Sequence, residues 1–104
     1  MGKKKITKEM IEGIRKFKKD VAVEKVILFG SYAAGNAKEH SDIDLILIGK
    51  KFRNKNFHSR FKGLWLKWKL NFPVDFLCYT PEEFEARKRE PTIVREAVKE
   101  GIEI

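Results

Sequence analysis

Two aspartates separated by one residue are the strongest candidates for chemistry in this sequence. Asp42 and Asp44 flank Ile43 at the start of an apolar run. In a strand, alternate side chains face the same side, so both carboxylates project together while Ile43 points into the core. Adjacent carboxylates repel each other, and a hard divalent cation is the partner that stabilises them. The pair predicts a metal site.

A third aspartate begins the next apolar run. Asp75 opens its predicted strand as Asp42 and Asp44 open theirs. If a helical crossover joins the two strands in parallel, both strand starts lie at one edge of the sheet. We therefore expect Asp75 to join the same metal cluster. The alternative is that Asp75 only begins a strand.

A glycine and a serine precede the acidic pair and follow an earlier apolar run. A short connection makes the first two strands antiparallel, which brings Gly30 and Ser31 to the same edge as the acids. Gly30 lets a ligand approach the backbone, and Ser31 starts a helical turn whose free N–H groups attract phosphate. A triphosphate beside two Mg²⁺ ions suits nucleotidyl transfer. The alternative is an ordinary turn with an N-cap.

The elements that position these residues are predicted from hydrophobic spacing and from capping residues. A helix begins at Thr7 and ends near Asp20, with a buried stripe of Met10, Ile11, Ile14 and Phe17. Three short apolar runs predict strands over Val26–Phe29, Ile43–Ile48 and Val74–Tyr79.

Three more helices are predicted around the third strand. The first runs from about Asn56 until Pro73 stops it, and its buried stripe is Phe57, Phe61, Leu64 and Trp68. The second begins at Thr80-Pro81, and the third follows Pro91. The order α-β-β-α-β-α-α predicts an α/β (α+β) fold, with a three-stranded mixed sheet flanked by about four helices.

Size and charge limit the classes of function. The 104 residues suit one domain, 1–104, and no apolar run could span a membrane. The stretch Met1–Lys5 is basic but lacks an apolar segment behind it, so we expect no secretory signal and a cytoplasmic location. The net charge is +8, and no acidic residue lies between Asp44 and Asp75. This basic field would attract nucleic acid, a triphosphate or an acidic partner.

Several other residues have less specific patterns. Cys78 alternates with apolar residues and is predicted to be a core residue, while His40 and His58 lack the paired spacing of a zinc site. Tyr32 either stacks on a nucleotide base or packs in the core. Trp65 with Lys62 and Lys69 forms either a nucleic-acid face or, as we favour, one solvated side of a helix.

The motif resembles that of a known superfamily. Gly30-Ser31, ten residues, and then Asp42-Ile43-Asp44 are similar to the signature of the DNA polymerase β-like nucleotidyltransferases, and the short chain looks like their minimal nucleotidyltransferase (MNT) branch. The resemblance extends from roughly Ile11 to the end. It implies the nucleotidyltransferase fold, with Asp42, Asp44 and Asp75 as catalytic metal ligands. Ala34 departs from the pattern, because many members have an arginine there; Lys38 or a lysine from 50–69 is a candidate substitute.

The resemblance also implies a substrate and a partner. It implies Mg²⁺-dependent transfer of AMP from ATP, or of another nucleotide, to a hydroxyl of a protein, with the chain acting as the antitoxin of a HEPN-domain toxin. Two other functions stay open. One is a non-catalytic antitoxin or interaction module, and the other is a basic nucleic-acid-binding domain, which we favour less.

Overall fold

The computed structural model describes residues 3–104, which form a sheet with helices on both faces. Met1 and Gly2 belong to the N-terminal stretch for which we expect no secretory signal, and they lie outside the described residues. In the part of the chain that the structure describes, no helix is both long and apolar enough to cross a bilayer.

The first helix, α1, spans Lys8–Val21 and confirms the prediction to within one residue. Its N-cap is Thr7, whose side-chain oxygen accepts a hydrogen bond from the Met10 amide over 3.1 Å. The helix ends where Ala22 takes the left-handed conformation, with φ of 57°. The side chains of Met10, Ile14 and Phe17 are buried, so α1 covers one face of the sheet.

The sheet contains the three predicted strands, β1 (Lys25–Phe29), β2 (Ile43–Ile48) and β3 (Val74–Tyr79). The first two are antiparallel, and the second and third are parallel. The mixed sheet expected from the lengths of the connections is therefore confirmed. The parallel pairing of β2 with β3 sets the edge at which both strands begin.

The predicted count of three strands is wrong by one. A fourth strand, β4 (Ile102–Glu103), pairs antiparallel with β1, and the described order is β3-β2-β1-β4. Gly101 lets the chain pass close to β1, because an added Cβ would lie 2.7 Å from the Leu28 carbonyl oxygen. A strand of two residues is too short to show an alternating pattern, so only its pairing reveals it.

The two faces of the sheet are covered by different helices. Val26, Leu28 and Leu45 pack with α1, whereas Ile27, Ile46 and Ile48 pack with the two later helices, α5 (Pro81–Arg87) and α6 (Ile93–Glu100). Burial on both faces explains why β1 and β2 are continuous apolar runs in the sequence. The acids of β2 and β3 lie on the α6 side.

The single helix predicted between Asn56 and Pro73 is wrong. The structure has two short helices instead, α3 (Phe57–Arg60) and α4 (Leu64–Lys67). Gly63 separates them, and its φ of 82° is incompatible with a continuing right-handed helix. Of the predicted stripe, Leu64 is buried and Phe57 is 53% exposed. A third short helix, α2 (Gly30–Ala34), follows β1, which raises the number of described helices above the four expected.

Arg60 holds α3 against the rest of the fold. Its side chain is buried, and Nη1 donates a hydrogen bond to the Cys78 carbonyl oxygen of β3 over 3.1 Å. The two Nη atoms also donate to both carboxylate oxygens of Glu83 in α5, over 2.6 and 3.0 Å. Glu83 in turn completes the capping box with Thr80, so the predicted start of α5 is confirmed.

Candidate functional site

Residues of three strands form a row at one edge of the sheet. The register pairs Phe29 of β1 with Asp44 of β2, and Asp44 with Asp75 of β3. Directly paired residues place their side chains on the same face of a sheet. Gly30 follows Phe29 immediately, so the predicted convergence of Gly30, Asp44 and Asp75 on this edge is confirmed.

Asp42 lies just before β2 and is exposed, whereas Ile43 is fully buried in the core, as predicted. Asp44 is half-buried between its neighbours. Burial raises the pKa of the Asp44 carboxyl above its ordinary value of 3.8, and the negative charges of Asp75 and then Asp42 raise it further. The negative charges of Asp75 and Asp42 are therefore close enough to oppose the ionisation of Asp44.

The acids form a donor set that fits a cation. None of the ion pairs found within residues 3–104 includes Asp42, Asp44 or Asp75, so no protein cation balances their charge there. Carboxylate oxygens are the ligands that Mg²⁺ and Ca²⁺ prefer. Over the same residues, no three Asp, Glu, His or Cys side chains already stand in the geometry of a metal site. Metal ligation by Asp42, Asp44 and Asp75 stays a prediction.

Gly30 is needed for a reason beyond the predicted approach of a ligand. Its φ is 76°, a conformation that favours glycine. A Cβ atom added at Gly30 would overlap an oxygen of the Asp44 carboxylate. Gly30 therefore makes room for Asp44, and the chain then enters α2, in which Ser31 is the second residue.

A cavity of about 770 Å³ opens at this row of residues. Its polar wall includes Ser31, Asn36, Asp44 and Asp75, and its apolar wall includes Phe29, Leu77, Ile93 and Ala97. This volume lies within the range of sites for small ligands and cofactors, roughly 300–1,000 Å³. Gly30, Ser31 and two of the three predicted acids thus line a single cavity, and Asp42 lies outside its wall.

The α6 wall of the cavity is the part that sequence reasoning missed. Ile93, Glu96 and Glu100 recur at intervals of three and four, so they lie on one face of α6. That spacing is visible in the sequence. It indicates a site only once α6 is known to pack on the face of the sheet that carries the acids.

The expected replacement for the missing arginine is not found. Ala34 does line the cavity, but no lysine or arginine among residues 3–104 does. Lys38 is exposed and away from the wall, and its backbone N–H donates to the Ser41 hydroxyl over 2.8 Å. The amide side chain of Asn36 is the polar group that this loop adds to the wall.

Tyr32 and Cys78 are core residues. Tyr32 is buried and meets Phe72 edge-on with ring centroids 6.5 Å apart, so its alternative role in stacking on a base is wrong. Burial raises the pKa of the Cys78 thiol to about 12, which keeps it neutral at physiological pH. Cys78 is therefore unsuited to nucleophilic catalysis, as predicted.

A second cavity of about 910 Å³ lies on the other side of Asp75. Its wall comes mainly from α3, α4 and the turn between them, and includes Phe61, Lys62, Trp65 and Leu66. Trp65 packs against Phe76 with ring centroids 4.9 Å apart, but its side chain stays 56% exposed. Asp75 lines both cavities.

Half of the cations in the acid-free segment are used within the fold. Arg53 and Arg60 pair with Glu82 and Glu83. Lys51 and Lys67 donate hydrogen bonds to the carbonyl oxygens of Val21 and Asp20, at the C-terminal end of α1. The basic segment is therefore a less open surface for nucleic acid than its composition suggests.

Comparison with known proteins gives a consistent family. A family model described as "Nucleotidyltransferase domain" matches residues 8–104. Two relatives from Methanocaldococcus jannaschii are each named "Putative protein adenylyltransferase". One is 42% identical over 82 residues, covering 73% of this chain and 92% of the relative. The other is 45% identical over 49 residues, covering 41% of this chain and 50% of the relative. Three such relatives are matched over only about half of their length.

Solved structures agree with the fold. A crystal structure titled as a "putative nucleotidyltransferase" from Sulfolobus solfataricus matches with a TM-score of 0.53 and 27% identity, over 78% of this chain and 82% of that one. A second structure with a similar title matches with a TM-score of 0.50 and 30% identity, over 80% and 90% of the two chains.

Proposed function

Because the chain belongs to the nucleotidyltransferase domain family, we propose that it transfers AMP from ATP to a side-chain hydroxyl of another protein. The observation that carries the proposal is the direct pairing of Asp44 with Asp75 beside Gly30-Ser31, at a cavity of nucleotide size. The names of the relatives support the choice of AMP and of a protein acceptor.

The cavity offers different surfaces to the two ends of the nucleotide. The backbone of Gly30 and the hydroxyl of Ser31 face the phosphates, next to the acids. The nucleoside then lies against Phe29, Leu77 and Ile93. On the α6 side, Glu96 and Glu100 are acceptors for ribose hydroxyls or for an exocyclic amino group of the base.

Asp42, Asp44 and Asp75 would hold the divalent cations, two Mg²⁺ in this proposal. Such ions supply positive charge to the transferring phosphoryl group and its leaving group. The cations that these side chains hold would also fix the position of the α-phosphate relative to the acceptor. Asp44 is the acid best placed to hold a cation in a fixed position, because it is half-buried and confined by Gly30.

The reaction forms one bond and breaks one. The acceptor oxygen attacks the α-phosphorus, and the bond from that phosphorus to the bridging oxygen of the β-phosphate breaks. Pyrophosphate leaves with the electron pair, and the hydroxyl proton passes to a carboxylate or to solvent. If Asp75 is not a metal ligand, it is the candidate to take that proton, because it faces both cavities.

The biological role in this proposal is that of an antitoxin whose acceptor is a HEPN-domain protein. It rests on the resemblance of the motif to the MNT branch and on no contact in this chain. The rival is an interaction module that acts by occlusion, and a nucleic-acid binder is the third candidate. Nucleotide added to the co-expressed partner only with Mg²⁺ and triphosphate supports the enzyme over both rivals.

Binding of the triphosphate is tested with Ser31→Ala. We expect this variant to bind Mg²⁺-ATP about tenfold more weakly in calorimetry, with an unchanged melting temperature, since Ser31 acts at the ligand. Ser41→Ala is the matched control, because Ser41 lies outside the cavity wall and, among residues 3–104, bonds only within its loop. Equal affinity in wild type and Ser31→Ala, or a large loss of stability in Ser31→Ala, would contradict the assignment.

A further inference from the structure

The second cavity lies outside the proposed nucleotide site and shares one wall residue, Asp75, with it. Two substrates that react with each other must come within bonding distance at one point. The only described residue that lines both cavities is Asp75, at the edge of the sheet. A molecule in the second cavity is therefore placed to meet the α-phosphate of a nucleotide in the first.

We infer that the second cavity binds the acceptor, a protein segment with apolar and acidic residues around the hydroxyl that enters beside Asp75. This inference rests on the proposed nucleotidyl transfer. In that reaction the acceptor oxygen bonds to the α-phosphorus, the bond to the β-phosphate oxygen breaks, pyrophosphate leaves, and the hydroxyl proton passes to solvent. The residue shared by both cavities, Asp75, then marks the point at which the hydroxyl enters.

The apolar residues of the acceptor segment are inferred from the apolar side chains that line the second cavity. Trp65 and Leu66 are 56% and 80% exposed, and half-buried Phe61 continues the same surface. Large exposed apolar side chains that share one concave surface indicate binding of a partner. They match the leucine, valine or aromatic side chains of a peptide.

The acidic residues of the acceptor segment are inferred from the positive charge of the cavity wall. Lys62 is exposed on the wall, and the segment from Leu45 to Val74, which supplies most of the wall, contains no acid. Unlike Arg60 and Lys67, Lys62 makes no side-chain hydrogen bond or ion pair among residues 3–104. Its charge is therefore available to glutamate or aspartate on either side of the acceptor hydroxyl.

A single-stranded nucleic acid fits this wall less well. Proteins that bind single strands present successive aromatic faces on which bases stack. Here Phe76 already packs against Trp65, and the next exposed side chain is the aliphatic Leu66. A phosphate chain would also meet the Asp75 carboxylate at the inner end of the cavity.

The wall has a rigid support. Arg60 ties α3 to β3 and α5 through the Cys78 carbonyl and Glu83, and Gly63 turns the chain into α4. Trp65 itself packs against Phe76 of β3, so the wall is held beside the strand that carries Asp75. A preformed wall of this kind reduces the entropy lost when a peptide binds.

The test uses synthetic peptides and the full chain. The probe has one hydroxyl residue, serine or tyrosine in separate peptides, between leucines and with glutamates at both ends. Binding is measured by calorimetry with a non-hydrolysable ATP analogue and Mg²⁺ present. We expect Trp65→Ala and Leu66→Ala each to weaken peptide binding about tenfold or more, as central apolar contacts do. The Kd for the ATP analogue should not change.

Charge reversal gives a second readout. Lys62→Glu should weaken binding of the glutamate-flanked peptide about fivefold and strengthen binding of a lysine-flanked version. Val98→Ala and Lys99→Glu are matched controls, because both residues are exposed on α6 and line neither this cavity nor the nucleotide cavity. Neither control should change the affinity for either peptide.

Two results would overturn the inference while leaving nucleotide binding intact. One is a peptide that does not bind, or that binds equally to wild type, Trp65→Ala and Lys62→Glu. The other is a uridine oligonucleotide that binds more tightly than the peptide and loses affinity in Trp65→Ala. Failure of the wild type to bind the ATP analogue is a separate result, which contradicts the proposed function itself.

Discussion

At the scale of single residues, Asp44 is the most constrained group of the candidate site. It is half-buried, it stands opposite Asp75, and it occupies space that only a glycine at position 30 leaves free. Its pKa is raised by burial and by two neighbouring negative charges. In the absence of a cation, these features oppose the ionised form of Asp44, and a bound cation would reverse that effect.

Replacing Asp44 should therefore separate stability from activity. Asp44→Asn removes the repulsion, so the free energy of unfolding at neutral pH should be unchanged or slightly higher. It also removes a predicted metal ligand, and nucleotide transfer should fall by about 100-fold or more, since metal ions contribute several kcal/mol to such reactions. Denaturant titration and mass spectrometry of the acceptor measure the two effects.

Asp42→Asn and Asp75→Asn extend the same comparison. We expect both to lose transfer and to keep the fold, because both side chains are exposed. Asp75→Asn would be silent if Asp75 only begins β3. Variants that unfold, or that retain full transfer, would exclude the carboxylate cluster as the metal site.

Gly30 gives the second prediction at this scale. Gly30→Ala should cost at least about 1 kcal/mol of stability, because a left-handed φ disfavours alanine and the new methyl group would overlap Asp44. Transfer should fall further than stability, since the Asp44 carboxylate must move. Thermal melting and the transfer assay show both changes.

Gly35→Ala is the control for backbone strain alone. Gly35 has a similar φ of 79°, but among the described residues an added Cβ would meet only Lys5, at an ordinary distance of 3.7 Å. The stability of the Gly35→Ala variant should fall, while its nucleotide transfer is retained. If Gly30→Ala and Gly35→Ala behave alike, then the contact between Gly30 and Asp44 has no special part in the site.

At the scale of elements, the pair of Arg60 and Glu83 joins α3, β3 and α5. The Arg60 guanidinium donates two hydrogen bonds to Glu83 and holds the pKa of that carboxyl below its ordinary value of 4.5, and the Thr80 amide adds to this effect. A lowered pKa in the folded state stabilises the fold at every pH above 4.5. That stabilisation is lost as the pH falls through the folded-state pKa.

Glu83→Gln should consequently be less stable than wild type by about 1–3 kcal/mol at neutral pH, and the difference should shrink in acid. The expected loss of stability is smaller than for a fully buried ion pair, because the Glu83 side chain is 35% exposed. Denaturant unfolding at neutral pH and at a pH well below 4.5 measures the difference.

Glu82→Gln is the matched control for this ion pair. Glu82 pairs with Arg53, but the two side chains are 63% and 47% exposed, and such surface pairs contribute little. Its stability should stay close to that of wild type at both pH values. A difference for Glu83→Gln that does not depend on pH would show that packing, and not the charge, explains the effect.

At the scale of the whole molecule, the wall of the first cavity joins elements that lie far apart in the chain. Its wall combines β1, α2, β2 and β3 with α6, and Gly101 then leads into β4 beside β1. A ligand that bridges these elements should stabilise the fold as a unit, because it binds only when all of them are in place.

We therefore expect Mg²⁺ and ATP together to raise the melting temperature. At a ligand concentration of 100 times Kd the stabilisation is about 2.7 kcal/mol, which for a domain of this size corresponds to roughly 10 °C or more. Mg²⁺ alone or ATP alone should give much smaller shifts, and Asp44→Asn should lose the combined effect. An equal shift in the presence of a chelator would contradict metal-dependent binding.

Much of this fold could be predicted from the sequence because its signals are local. The stripe of α1, the apolar runs of β1, β2 and β3, and the capping box at Thr80 each depend on residues within a few positions of one another. The acidic pair is likewise a local pattern, and strand pairing then brings Asp75 and Gly30 to the same edge.

The remaining features depend on contacts between distant parts of the chain, and only the tertiary structure decided them. The two residues of β4 are a strand because β1 lies beside them, and α3 is held in place because Arg60 bonds to β3 and α5. The α6 wall and the junction of two cavities at Asp75 arise in the same way. Such contacts leave no periodic pattern in the sequence, because their energy comes from packing between separate elements.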